Sequence, residues 1–325
     1  MDIIIRTDAS IDIGSGHVMR CLTIADHIRK LGHSVSFWME LLPGNLIDFV
    51  IGRGFPVTQQ MQSADILIID HYQLDASWEQ QMRPFARKIV VIDDLANRLH
   101  DCDVLLDQNV VPHYEHRYDA LVPGHCVKLL GPQYLIMRDE FIDERAKLVT
   151  RTGKVNRLLV FMGGSDPTHE TLKVLTALQH TTTEFEHVDV VVGLSNANRQ
   201  EIEQICYRQQ YTYHCQIDYI AKLMSQADFS IGAGGSTTWE RCYVGLPSSC
   251  TIVADNQRIS TETAQQLGAV FNLGWHEQVT VDTYAVFLDS LPSEREKIKA
   301  ISEQGLHITA SQGQVNPWLQ KIVEW

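Results

Sequence analysis

Basic residues are in short supply. Lys and Arg number 27 against 40 Asp and Glu, a formal net charge of −13 over 325 residues. A surface for nucleic acid or for an anionic membrane needs clustered positive charge, so neither partner is expected. A small anionic ligand stays open, because backbone N–H groups and one or two arginines can hold it. The seven cysteines (Cys21, Cys102, Cys126, Cys206, Cys215, Cys242, Cys250) are scattered, odd in number and lack a C-x-x-C. That pattern argues against a zinc ribbon and against a disulfide framework. His113, His116 and His125 are too loosely spaced, with no paired carboxylate, to argue for zinc. No uncharged apolar run is long enough to span a bilayer, and Met1-Asp2-Ile3-Ile4-Ile5-Arg6 enters a strand without the pattern of a secretion signal. A cytoplasmic protein is the expectation.

What is present is an α/β pattern. Ile3-Ile4-Ile5, Ile66-Leu67-Ile68-Ile69 and Lys88-Ile89-Val90-Val91-Ile92 are short runs apolar on both faces. Between the first two, Val18, Cys21, Leu22, Ala25, Ile28 and Leu31 recur at helical spacing until Gly32. Buried strands alternating with helices predict a parallel, doubly wound sheet, whose ligands sit beyond the C-terminal strand ends. After a polar stretch over 147–155, the strand Leu158-Leu159-Val160-Phe161-Met162 restarts the pattern. Two domains are therefore expected, 1–150 and 151–325, with terminal helices over Ser293–Gly305 and Gly313–Glu324 able to pack back toward the first.

Two glycine turns organise these halves: Gly14-Ser15-Gly16-His17 and Gly232-Ala233-Gly234-Gly235-Ser236-Thr237. Each follows a strand and opens a helix, where free N–H groups and the helix dipole favour an anion. The second reads as a phosphate cradle. The first carries a histidine, so one half is expected to hold a diphosphate and the other to bring a base. Gly14-x-Gly16 lacks a third glycine because position 19 is Met19, which makes a dinucleotide-binding dehydrogenase a poor reading. Asp101-Cys102-Asp103 fits the D-x-D of metal-dependent transferases but precedes its strand, the wrong end for a ligand.

Several blocks, in order, carry a resemblance. They are Arg6-x-Asp8-x-Ser10-x5-Gly16-His17-Val18-x-Arg20-Cys21-Leu22, Ile92-Asp93-Asp94-Leu95-Ala96-Asn97-Arg98, Asp107-Gln108-Asn109, Gly163-Gly164-Ser165-Asp166, and Gly232 through Cys242. Together they resemble the UDP-2,4-diacetamido-2,4,6-trideoxy-β-L-altropyranose hydrolases of pseudaminic acid biosynthesis. More distantly, the C-terminal half is similar to the UDP-GlcNAc transferase that makes lipid II. The resemblance implies two Rossmann-like domains facing a cleft, the GT-B architecture, and an inverting hydrolase needing neither metal nor cofactor. It would break the sugar C1–O bond and release UDP. Asn97, where Asp is expected in relatives, is a small departure.

Each assignment has an ordinary counterpart. His17 would be the base, since a helix N-terminus disfavours its cationic form; a nearby diphosphate pulls the other way, and a capping histidine is the plain alternative. Gly16 belongs to the same turn. Gly234, Gly235, Ser236 and Thr237 would hold the diphosphate, or form a common strand-to-helix turn. Glu240 would accept the ribose hydroxyls, as the related transferase's glutamate implies, or be a solvated helix residue. Asn256 and Gln257 would meet the sugar's N-acyl or hydroxyl groups, or cap a helix. Gly164 and Ser165 form a third turn toward the cleft. Asp70 and Tyr72 could hold sugar or water. Arg6 and Asp8 would either line the cleft floor or pair with each other. Arg138 is read as structural or interdomain. The alternatives kept open are a UDP-sugar glycosyltransferase, a non-catalytic nucleotide-sugar binding protein and a hydrolysing UDP-GlcNAc epimerase. The oligomeric state is not fixed; a monomer is compatible.

Overall fold

The computed structural model describes residues 1–10, 13–310 and 315–324. It divides into two compact units: one runs to Met137 and includes the C-terminal residues, the other spans 138–310.

The first unit holds β1 (Asp2–Thr7), α1 (Gly16–Lys30), β2 (Ser34–Trp38), α2 (Ile47–Gly52), β3 (Val57–Thr58), β4 (Ala64–Asp70), α3 (Ala76–Met82), β5 (Ala86–Ile92), β6 (Val104–Asp107) and β7 (Val127–Leu130). Its parallel sheet has the order β3-β2-β1-β4-β5-β6-β7. The order reverses between β1 and β4, which marks the crevice where such sheets bind ligands. α1 forms because Val18, Cys21, Leu22, Ala25 and Ile28 make one apolar stripe, all buried against the sheet. Its last turn carries His27, Arg29 and Lys30, favourable at the negative dipole end, and Gly32 at φ 84° stops it.

The second unit begins with α4 (Asp139–Arg145) and continues through β8 (Arg157–Phe161), α5 (Glu170–Leu178), β9 (His187–Val192), α6 (Arg199–Gln209), β10 (Thr212–Cys215), α7 (Ile220–Gln226), β11 (Phe229–Ala233), α8 (Thr237–Tyr243), β12 (Ser248–Ile252), α9 (Arg258–Gln266), β13 (Phe271–Trp275), α10 (Val281–Ser290) and α11 (Arg295–Ile308). Its sheet, β10-β9-β8-β11-β12-β13, is again parallel and reverses between β8 and β11. The two glycine turns of this unit come directly after these two strands.

The division falls earlier than residue 150. α4 packs on α7 and α8, and Arg145 donates to the carbonyls of Tyr243 and Leu306, so these residues belong to the second unit. The expected start of the last helix at Gly313 lies outside the described residues. The helix itself, α12 (Pro317–Val323), belongs to the first unit. Its Trp318 is fully buried beside α1, with the indole N–H donating to the Leu135 carbonyl at 3.2 Å. Among the described residues no helix is long and apolar enough to cross a membrane.

Candidate functional site

In the first unit the chemistry-bearing residues gather where β1, β4 and β5 end. Arg6 and Asp8 pair with each other at 2.7 Å, both almost completely buried. Arg6 also reaches Glu40, and Asp8 accepts from the Glu40 N–H and faces the His71 ring at 3.3 Å. Burial raises the proton affinity of Asp8, but His71, Arg6 and that N–H outweigh it and hold the carboxyl below the ordinary range. Both side chains are engaged inside the fold, which suits a supporting role better than direct ligand contact.

His17 is the second residue of α1 and is 8% exposed. Its ring meets Tyr72 edge-on, centroids 4.3 Å apart, and its Nε2 lies 4.0 Å from Asp70 Oδ1, beyond hydrogen-bond reach. No side chain or carbonyl among the described residues hydrogen-bonds this imidazole. Asp70 is held instead by Arg20, through Nε at 2.9 Å and Nη2 at 2.7 Å. Arg20 also reaches Asp94 at 3.4 Å, as does the Tyr72 hydroxyl. Burial disfavours the Arg20 cation, yet Asp70 and then Asp94 more than compensate and raise its proton affinity. Burial, then Asp94, likewise pushes the half-exposed Tyr72 hydroxyl above its usual range. The N–H groups of Gly16, His17 and Val18 have no acceptor among the described residues, as expected for a helix N-terminus. The Ile92–Arg98 block supports this site from behind. Asp93 takes the Arg98 guanidinium at 2.7 Å, and Arg98 donates to the carbonyls of Leu74 and His71, pinning the loop that carries Tyr72.

In the second unit the glycine requirement of the turn after β11 is steric. A Cβ on Gly234 would lie 2.1 Å from Thr261 Oγ1, and one on Gly232 would lie 1.9 Å from Arg241 Nη1. Arg241 is fully buried, its Nη2 donating to the Ala233 carbonyl at 2.9 Å and to Thr238 Oγ1 at 3.1 Å. Its Nε and Nη1 find no partner among the described residues. One element of the expected cradle changes. The Gly234 N–H donates to Thr251 O at 3.0 Å as part of the sheet, so it is not available to an anion. The N–H groups of Gly235, Ser236 and Thr237 remain without an acceptor among the described residues, and Ser236 makes no capping bond. Gln257 adjoins this turn, its Nε2 being 3.5 Å from where a Gly235 Cβ would stand, while its Oε1 accepts from Val253 N–H. Asn256 sits exposed in the short 3₁₀ turn Asp255–Gln257. Glu240 is ion-paired with Arg138 at 3.1 Å, and Arg138 also holds Glu140 at 2.5 Å, so Arg138 works inside this unit.

The turn at Gly163-Gly164-Ser165-Asp166 differs from the other two. Asp166, buried at φ 43°, accepts from the N–H groups of Glu170 and Thr171 at 2.9 Å each. The start of α5 thus carries its own carboxylate and is not an anion hole; Gly164 and Ser165 are exposed beside it. Asp101 and Asp103 are both clamped by Arg83, at 3.1 and 2.6 Å. Among the described residues no three His, Cys, Asp or Glu side chains are grouped to hold a metal ion.

No protein-family model matches the chain. The chain aligns over 96–99% of its length with solved Acinetobacter baumannii MurG (TM-score 0.66, 13% identity, 98% of that chain) and spinosyn rhamnosyltransferase SpnG (0.62, 12%, 97%). The fold is that of the GT-B glycosyltransferases. Among curated proteins, the chain is 28% identical over 276 residues to a Campylobacter jejuni protein named UDP-2,4-diacetamido-2,4,6-trideoxy-β-L-altropyranose hydrolase, covering 81% of this chain and 95% of that one. It is 24% identical over 273 residues to a Helicobacter pylori protein named as both a pseudaminic acid cytidylyltransferase and that hydrolase, covering 82% and 47%. An uncharacterized Methanocaldococcus jannaschii protein is 26% identical over 267 residues, covering 76% and 54%. The chain thus spans about half the length of these last two relatives. The resemblance drawn from the motif blocks holds over most of the chain.

Arg20 and Arg241 stand within the motif blocks, but sequence reasoning gave them no work. Arg20 had a signal, since it lies three positions after His17 and so on the same helix face. Arg241 had none, because nothing in a helical spacing announces a guanidinium folded back under a glycine.

Proposed function

We propose that this GT-B chain hydrolyses a UDP-linked 2,4-diacetamido-2,4,6-trideoxyhexose of the altrose type, releasing free sugar and UDP in nonulosonic acid biosynthesis. The observation that carries the reading is the His17 imidazole, buried at a helix N-terminus, framed by Tyr72 and Asp70, and free of hydrogen bonds among the described residues. Such a ring is poised to take a proton. In the reaction the water oxygen attacks C1 from the face opposite UDP, and His17 accepts the water proton. The C1–O bond breaks with its electron pair passing to the diphosphate, and the anomeric centre inverts. UDP needs charge stabilisation more than protonation on leaving, and the free N–H groups of Gly235, Ser236 and Thr237 would supply it. Glu240 would turn from Arg138 toward the ribose hydroxyls, and Gln257 would meet the substrate beside the turn. The named hydrolases from Campylobacter and Helicobacter support the substrate class.

The test is UDP release from a panel of UDP-sugars, with and without chelator, for the wild type and His17→Asn. Release from the diacetamido-trideoxy altrose donor without an acceptor, lost in the variant, is the expected result. A His17→Asn protein that hydrolyses as fast as wild type would reduce His17 to a structural residue. The second reading, a UDP-sugar glycosyltransferase, draws on the likeness to MurG and SpnG. It requires that UDP appear only when an acceptor is added.

A further inference from the structure

The hydrolase reading makes His17 a proton acceptor, and a role for Arg20 beside it rests on that reading. Among the described residues only one carboxylate lies within 4.0 Å of the ring, that of Asp70, and it makes no hydrogen bond to it. The reason is one turn further along α1. Arg20 takes both Asp70 oxygens in a two-pronged grip, and the Cys21 thiol adds a contact to Oδ2 at 3.5 Å. Arg20 is itself anchored from the end of β5 by Asp94. The titratable and charged groups facing the imidazole are therefore Asp70 and Tyr72 from the end of β4, Arg20 and Cys21 from its own helix, and Asp94 behind them.

We infer that Arg20 is a positioning residue that keeps the Asp70 carboxylate occupied and so keeps the His17 imidazole available as a proton acceptor. A carboxylate left without its guanidinium in this buried setting keeps only the weak Cys21 thiol donor at 3.5 Å and turns to the stronger one, the His17 ring 4.0 Å away. An aspartate–imidazolium pair favours the charged ring. A ring already carrying its proton cannot take one from water. This differs from the usual serine-protease arrangement, in which the aspartate bonds the histidine directly. Here attack on an activated glycosyl carbon with UDP leaving needs a base, and no later proton donation by the same ring.

The experiment has two arms. The first tracks the His17 ring signal of the free protein by NMR as pH is varied, assigned with His17→Asn. The second measures the pH dependence of kcat/KM for UDP release. Arg20→Met is expected to raise the His17 midpoint, and the acid limb of kcat/KM with it, by about one pH unit or more. Arg20→Lys keeps the charge but can hold only one carboxylate oxygen, and is expected to give a smaller move of the same sign. In Arg20→Met/Asp70→Asn nothing remains to capture the ring, so the midpoint returns toward the wild-type value. A midpoint that stays raised in that double variant, or one that does not rise in a folded Arg20→Met protein, overturns the inference. If Arg20→Met does not fold, the sign seen in Arg20→Lys decides. The NMR arm needs no substrate, so a protein that releases no UDP would refute the hydrolase reading and leave the Arg20 result standing or falling by itself.

Discussion

The pH dependence of stability should report on one buried histidine that takes no part in the proposed chemistry. His100 lies between Glu79, 2.7 Å from its Nδ1, and Asp93, 3.9 Å from its Nε2, and all three side chains are fully buried. Burial works against the imidazolium, but Asp93 and Glu79 outweigh it and push the pKa up from 6.5 to about 9. The folded protein therefore holds a proton that the unfolded chain releases above pH 6.5. Stability from this proton is full below that pH and is lost as pH rises through about 9. With one proton's difference the slope is about −1.4 kcal/mol per pH unit, so the window is worth on the order of 3 kcal/mol. For a unit of this size that is a fall of roughly 5–10 °C in Tm. The assay is thermal unfolding by circular dichroism from pH 6.5 to 9.5, for wild type and His100→Gln. The neighbouring Asp107, whose carboxyl burial pushes up to about 6, titrates at the acid edge of that range in both proteins and so drops out of the comparison. The variant starts less stable but should lack this share of the slope. If the two proteins lose stability in parallel, His100 is not charged in the fold and the reasoning fails.

Packing supplies three more expectations. Gly232→Ala would drive a methyl into the Arg241 guanidinium and within 3.0 Å of the Phe161 carbonyl, and should cost about 2–4 kcal/mol in urea unfolding. Adding Arg241→Met should recover part of that loss, and full additivity of the two would count against the clash. Trp318→Ala removes a fully buried indole from the first unit and should cost about 3–5 kcal/mol, seen also as faster proteolysis near Leu135. Asp166→Ala strips both capping bonds from α5 and should lower stability by about 1–2 kcal/mol, whereas Asp166→Asn should retain most of it; equal losses would show that capping is not the cause.

The fold was legible because its strands are apolar on both faces and its helices striped, and such patterns have few parallel-sheet solutions. The positions of His17 and of the turn after β11 came from the same rule. What spacing could not reveal was how polar side chains divide among competing partners. Asp70 could have bonded His17, yet it bonds Arg20; Glu240 reads as a free helix carboxylate, yet Arg138 holds it. Three glycine turns look alike in sequence, and only the backbone separates them. One ends in a carboxylate that fills its own helix start, and another gives its first N–H to the sheet. The division after Met137 was hidden because the polar stretch over 147–155 reads as the linker, while α4 before it, its Phe141 fully buried, already packs on α7 and α8.

The return of α12 to the first unit has a consequence for how the chain is made. The polypeptide leaves that unit after Met137, builds the whole of residues 138–310, and only then supplies Trp318 and Ile322 to the first core. On a ribosome the second unit can therefore close while the first still lacks a wall beside α1. The early unit must wait, with part of its apolar interior uncovered, for residues synthesised after its neighbour is complete. Biogenesis thus runs from the inside of the sequence outward, and the unit that carries His17 is the last to be sealed.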